Sequence, residues 1–250
     1  MTEANDCRSA LIRLHRGHAR QGPGDEAFSR EVLAGLPALG TSGRVADLGC
    51  GSGAGTLLLA ECLQRPVIAV DLSPDFVAQL TLQATQRGLS PWITAEVADI
   101  GALAWPPASL HLLWSEGAAY NLGFARALRT WRPLVAGGGI AVVSELSWFT
   151  GNPPEPARKF WKAGYPGLGS EAENRSHARD CGFEVIDTLR LPSRAWWDNY
   201  YGPLQQRIVS LRADAGGAMR AVIAETEREM DLFARYSDSY GYTFYILRAP

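Results

Sequence analysis

The residues best placed to do chemistry surround the stretch Val45-Ala46-Asp47-Leu48-Gly49-Cys50-Gly51-Ser52-Gly53-Ala54-Gly55, where four glycines fall within seven residues after a short apolar run. A turn this poor in side chains lets the backbone approach a partner closely. The spacing satisfies both G-x-G-x-x-A and G-x-G-x-G, so the glycines alone do not say what that partner is. The acids around them are more discriminating. Asp47 stands two residues before Gly49, where a carboxylate repels a pyrophosphate and suits a cationic amino-acid group. Asp71 ends the next apolar run, 22 residues after Gly49 (71 − 49 = 22). From there an acid can take both hydroxyls of a ribose. Asp99-Ile100 follows a third run and offers a polar–apolar pair to a flat heterocycle. Capping of the following helices is the other use of Asp71 and Asp99.

Glu116 stands at the end of a fourth run, followed by Tyr120 and Asn121. It could hold an ammonium group through water, orient an amine or accept a proton. It could instead cap a helix or pair with an arginine such as Arg126. His15 and His18 are alternative bases, although a solvated helix face accounts for both. The four cysteines (Cys7, Cys50, Cys62 and Cys181) form no CxxC pair and no metal-ligand spacing with the four histidines, so no metal is expected and reduced thiols are.

These acids need a scaffold that brings several strand ends together. Short apolar runs predict strands at 44–48, 66–71, 92–97, 109–115 and 139–146, with helices near 54–64, 74–87 and 122–136 between them. The second helix is well marked, with Ser73 as N-cap, Pro74 at its first position and Gly88 past its end. Alternating strands and helices imply right-handed crossovers and a parallel sheet covered on both faces. Residues 1–42 read as a helical cap broken at Gln21-Gly22-Pro23-Gly24, and 43–250 as the main domain. Residues 148–170, rich in Pro, Gly and aromatics, read as a lid loop. A sixth strand at 183–191 precedes a helical insertion, 192–240, with two helices parted at Gly216-Gly217, and a last strand at 242–247.

The chain has a net charge of −2 and 20% charged residues, which gives no basic field for a nucleic-acid backbone. No apolar run approaches the roughly 20 residues of a membrane span, and the polar N-terminus does not read as a signal peptide. A cytoplasmic protein is expected.

The segments "VADLGCGSG", "AVDLS", "VADI" and "RPLVAGGG" resemble, in order and each in its expected place, the motifs of class I S-adenosylmethionine-dependent methyltransferases. The resemblance covers about 43–146 firmly and the remainder weakly. It implies a Rossmann-like α/β fold with a seven-stranded, mostly parallel sheet in the order 3-2-1-4-5-7-6, the last strand antiparallel. It also implies S-adenosyl-L-methionine as cofactor. Carried over, the methionine part falls to Asp47, Gly49, Cys50, Gly51 and Gly53, the ribose to Asp71 with Leu72, and the adenine to Asp99 and Ile100. Glu116 joins the cofactor set, and Glu116 and Tyr120 are the candidate catalytic pair. "SEGAAYNLGF" and "SELSWFT" resemble a bacterial subgroup acting on small molecules, with a core similar to quinone C-methyltransferases. That subgroup's GPG turn, matched by Gly22-Pro23-Gly24, puts Gly22 beside the cofactor.

Acceptor specificity is expected in Trp148, Phe149, Trp161, Tyr165 and the "WWDNYY" run, 196–201, with Asp198 available to a cationic acceptor. The acceptor, the atom methylated and the oligomeric state are open at this stage. Other readings are a nicotinamide enzyme, a methyltransferase-like subunit that binds cofactor without turnover, and a protein side-chain methyltransferase. The chain shows no second Gly-rich half and no hydride-acceptor group, which weighs against the first.

Overall fold

The computed structural model describes residues 3–40 and 43–250; residues 1, 2, 41 and 42 of the expected cap lie outside it. Seven strands form one sheet: β1 Arg44–Leu48, β2 Val67–Asp71, β3 Ile93–Val97, β4 Leu110–Ser115, β5 Val135–Trp148, β6 Glu184–Arg190 and β7 Tyr240–Arg248. Their order is β3-β2-β1-β4-β5-β7-β6, as the resemblance implies. The first five pair in parallel, and β7 runs antiparallel between β5 and β6.

The central strands are apolar on both faces because helices cover both. Val45, Leu112, Trp114, Ile140 and Val142 point to one side; Ala46, Leu48, Leu113, Ala141 and Val143 point to the other. Around the sheet lie α1 Glu3–His15, α2 Glu26–Ala34, α3 Ala54–Leu63, α4 Pro74–Gln86, α5 Phe124–Trp131, α6 Glu155–Gly164, α7 Glu171–Asp180, α8 Arg194–Trp196, α9 Gly202–Arg212 and α10 Gly217–Tyr236. Crossover connections leave the carboxyl ends of β1, β2 and β4 open at the point where the strand order reverses. Such a crevice is where open α/β sheets bind ligands.

Three local expectations need correction. The helix predicted for 122–136 ends at Trp131, and β5 already begins at Val135. Pro133 cannot continue a helix, and Gly138, at φ +76°, lets the strand enter through an irregular register. The segment 148–170 is not a plain loop, because it carries α6. Its prolines stand at the N-cap, Pro154, and in the first turn, Pro156, where a missing N–H costs nothing. α7 follows with a reciprocal cap, Ser170 bonding the Glu173 backbone and Glu173 bonding back. The insertion has its helices parted ahead of Gly217 as expected, but Trp197–Tyr201 forms a wider π turn between α8 and α9.

Candidate active site

A cleft of about 620 Å³ opens at the carboxyl ends of β1, β2 and β4, under a roof formed by α1 and the segment 19–23. Asp47 lies on its floor, 2% exposed, with the Thr56 hydroxyl donating to Oδ2 at 2.7 Å. Burial pushes its carboxyl up to about 7; Thr56 opposes the shift, and the neighbouring Glu116 and Asp71 add to it. A buried acid with one hydroxyl donor gains most from a cation placed against its free lone pairs.

The three turn glycines serve different neighbours. Gly49, Gly51 and Gly53 all have positive φ, at +75°, +53° and +99°. A Cβ at Gly49 would collide with Ala118 of the loop after β4, and one at Gly51 with the Gln21 carboxamide oxygen. Gly53 caps α3, where a Cβ would strike Leu80. Gly49, Cys50 and Gly51 line the cleft, whereas Gly53 faces the α3–α4 packing and is absent from the lining.

Asp71 folds back on this turn. Its Oδ2 accepts from the Gly51 amide at 2.9 Å and its Oδ1 from the Ser73 amide at 2.8 Å. Each oxygen keeps a lone pair for the cleft. Ser73 makes no side-chain cap on α4, and its hydroxyl is buried without a partner at the cleft wall. Leu72 and Ile100 supply apolar surface, and the Asp99 carboxylate accepts from the Gly101 amide at 2.7 Å. Phe76, which belongs to the apolar stripe of α4 by spacing, also turns into the cleft.

Glu116 is bound by the chain itself. Its Oε2 accepts from Arg20 at 2.8 Å, and its Oε1 from the Ser29 hydroxyl and the Trp114 indole, both at 2.9 Å. This arrangement ties the N-terminal segment to the tip of β4. The pairing partner is Arg20 rather than Arg126. Tyr120 and Asn121 line the same wall, and Tyr165 meets the Tyr120 ring edge-on at 6.0 Å. Gln21 completes the roof: its oxygen accepts from the Ser52 amide, and its nitrogen donates to the Ser52 hydroxyl and the His18 carbonyl. Gly22 lines the cleft beside it.

Three roof residues escaped the sequence reading, Arg8, Leu11 and Ile12, and they stand in one row with His15, one of the two alternative bases. Their spacing of three to four along α1 was the available signal. His15 is not on a solvated face; it is buried and bonded to Tyr200. Conversely, none of the expected acceptor aromatics lines the cleft: Trp196 and Tyr201 are core, and Trp148, Trp161, Tyr165, Trp197 and Tyr200 are half-buried against it. Trp196 stacks on Phe233 at 4.1 Å, and Tyr201 is fully buried with its hydroxyl on Glu229. Asp198 is exposed and outside the cleft lining, so it does not face a ligand there. Leu11, Leu72 and Tyr120 are each about half exposed, and all three line the cleft, an apolar surface that a ligand would cover.

The cleft's features converge on a ligand with a cationic amino-acid end, a diol and a flat apolar ring. Residues 45–139, from β1 into β5, match the family model described as "Methyltransferase domain". The chain carries an S-adenosylmethionine-dependent methyltransferase domain. The methyltransferase is 25% identical to the 27-O-demethylrifamycin SV methyltransferase of Amycolatopsis mediterranei (strain S699), over 90% of this chain and 85% of that protein. In fold it is similar to a SAM-dependent methyltransferase from Geobacter sulfurreducens solved with S-adenosyl-L-homocysteine: TM-score 0.81, 20% identity, 97% of this chain and 98% of that one. It is also similar to the cyclase SpnF, with TM-score 0.77, 20% identity, and 99% and 94% coverage. The methyltransferase uses S-adenosyl-L-methionine, which supplies a methyl group already activated on a sulfonium.

Proposed function

We propose that this methyltransferase modifies a small-molecule acceptor that reaches the cleft between Tyr120 and the α1 roof. Asp47 would hold the cofactor's ammonium, Asp71 its ribose hydroxyls, and Leu72, Phe76, Asp99 and Ile100 its adenine. Gly22, Gly49, Cys50 and Gly51 would give it backbone contact. The work left to the protein is alignment and exclusion of water. Glu116 contributes by fastening the roof through Arg20 and Ser29; with these donors already on it, it orients rather than accepts a proton. Tyr120 forms the wall on the acceptor side.

The observation that carries this reading is the closed roof. Arg16 pairs with Asp75 of α4 at 2.7 Å, Gln79 donates to the His18 carbonyl at 3.0 Å, and Arg20 holds Glu116. A cleft roofed in this way suits a compact molecule better than a polypeptide segment or a nucleic-acid strand. The rifamycin-directed relative acts, by its name, on a small molecule as well. Free thiols at all four cysteines, and no helix among the described residues long and apolar enough to cross a membrane, support a cytoplasmic setting.

The test incubates the protein with methyl-labelled S-adenosyl-L-methionine and a panel of hydroxylated, amino and thiol metabolites, alongside peptide and RNA pools. Label should enter one small-molecule class. Label in peptides alone would redirect the assignment, and tight S-adenosylhomocysteine binding without any transfer would point to a non-catalytic subunit.

A further inference from the structure

Buried His15 lines the roof of the cleft, and half-buried Tyr200 pairs with it from behind. The His15 ring is 6% exposed and lines the cleft. Its Nδ1 lies 2.9 Å from the Leu11 carbonyl, an acceptor only, so Nδ1 carries the proton. In the neutral ring Nε2 is then a lone pair. The Tyr200 hydroxyl, 3.2 Å away, must donate to it. The imidazole is thus oriented by one partner and presents its basic nitrogen through the other.

Tyr200 reaches this position because of the π turn. In a continuous α-helix Trp196 and Tyr200 would share a face, four residues apart. The turn at Trp197–Tyr201 inserts a residue, so Trp196 and Tyr201 both enter the core and Tyr200 is turned toward α1. π turns concentrate at functional sites because they displace one side chain without ending the helix.

We propose that His15, with Tyr200, is the proton acceptor for a hydroxyl-bearing methyl acceptor; this rests on the methyltransferase reading above. The acceptor's O–H bond breaks and its proton passes to His15 Nε2, directly or through the Tyr200 hydroxyl. The acceptor oxygen forms a bond to the methyl carbon. That carbon's bond to sulfur breaks with its electron pair left on sulfur, giving neutral S-adenosylhomocysteine. The proton then leaves His15 for water.

Burial keeps the imidazole below its ordinary pKa, and His18 lowers it further, so the ring is a free base at neutral pH. The charged groups around it are the Arg16–Asp75 pair next along the chain and toward α4, Arg207 of α9 beside His18, and Glu229 of α10 behind Tyr200. Asp47 and Asp71 face it from the cleft floor.

The experiment uses the full chain, labelled S-adenosyl-L-methionine, and phenol, catechol and 1-naphthol as hydroxyl probes, with S-adenosylhomocysteine affinity measured in parallel. Wild type should bind S-adenosylhomocysteine, methylate at least one probe, and lose rate with acid only below about pH 6.5. His15→Gln should lose about 100-fold or more in rate, together with that acidic limb, while its S-adenosylhomocysteine affinity stays within about twofold. Tyr200→Phe should keep part of the rate and move the limb. A wild-type limb and rate retained in His15→Gln would overturn the proposal. So would an equal loss of S-adenosylhomocysteine affinity, which would make His15 a cofactor contact. Binding of S-adenosylhomocysteine with no transfer to any hydroxyl probe would overturn the acceptor class. Failure of wild type to bind S-adenosylhomocysteine would instead defeat the methyltransferase reading itself.

Discussion

Arg20 and Glu116 form an ion pair at 2.8 Å in which each side chain is only 11% exposed, and it joins the N-terminal cap to the tip of β4. Removing one member of such a pair leaves the other poorly solvated. Arg20→Ala should cost about 3 kcal/mol in urea unfolding. Glu116→Gln keeps an acceptor for Ser29 and Trp114, so its cost should be smaller, about 1 kcal/mol. Both should lower S-adenosylhomocysteine affinity through a loosened roof. The double variant should cost less than the sum of the two, because a pair can be broken only once.

Asp71 serves the turn and, on our proposal, the ribose. Asp71→Ala should weaken S-adenosylhomocysteine binding by about 1.5–3 kcal/mol by calorimetry, the range for hydrogen bonds to a charged group. The melting temperature without ligand should fall as well, because the Gly51 and Ser73 amides lose their acceptor. A drop in melting temperature with unchanged affinity would confine Asp71 to structure.

The raised Asp47 carboxyl makes cofactor affinity depend on pH. With its pKa near 7 in the free protein, Asp47 is protonated below that value and cannot pair with an ammonium group until it loses the proton. S-adenosylhomocysteine affinity should therefore rise with pH, gaining about tenfold between pH 6 and pH 8 and levelling above 7. Asp47→Asn should bind weakly at every pH and show no such slope.

Glu145 is 2% exposed, its carboxyl raised to about 8 by burial, against the Leu146 amide that donates to it at 3.0 Å. Between pH 4.5 and 8 the folded protein keeps this proton while the unfolded chain has released it. Stability is therefore lost as pH rises through that window, by up to about 1.4 kcal/mol per pH unit for one retained proton. Thermal melts of Glu145→Gln should show a flatter decline over this range than wild type. An unchanged slope would mean that the carboxyl is ionised in the native state.

The elements were legible wherever a short-range rule governed them. Ser73-Pro74 announced α4, and the apolar runs located all seven strands to within a few residues, with only β5 much longer than expected. Asp47, Asp71 and Asp99 could be read because strand ends in a parallel sheet converge wherever the helices lie. The 148–170 segment was misread because proline means opposite things in a loop and in the first turn of a helix. Phe76 and Leu11 were missed, and His15 was set on a solvated face, because amphipathic spacing gives a helix's face without saying whether core or cleft lies against it.

The succession of strands along the chain, the glycine turn and the acids that frame it follow from the chain's own pattern, since periodicity and strand-end chemistry are local properties, whereas the order of strands in the sheet came with the family resemblance. Which arginine meets Glu116, which glycine makes room for Gln21 and where Tyr200 points depend on contacts between residues tens to hundreds of positions apart. Those were decided by packing, because only the closed fold brings α1 and the helices before β7 over the same floor.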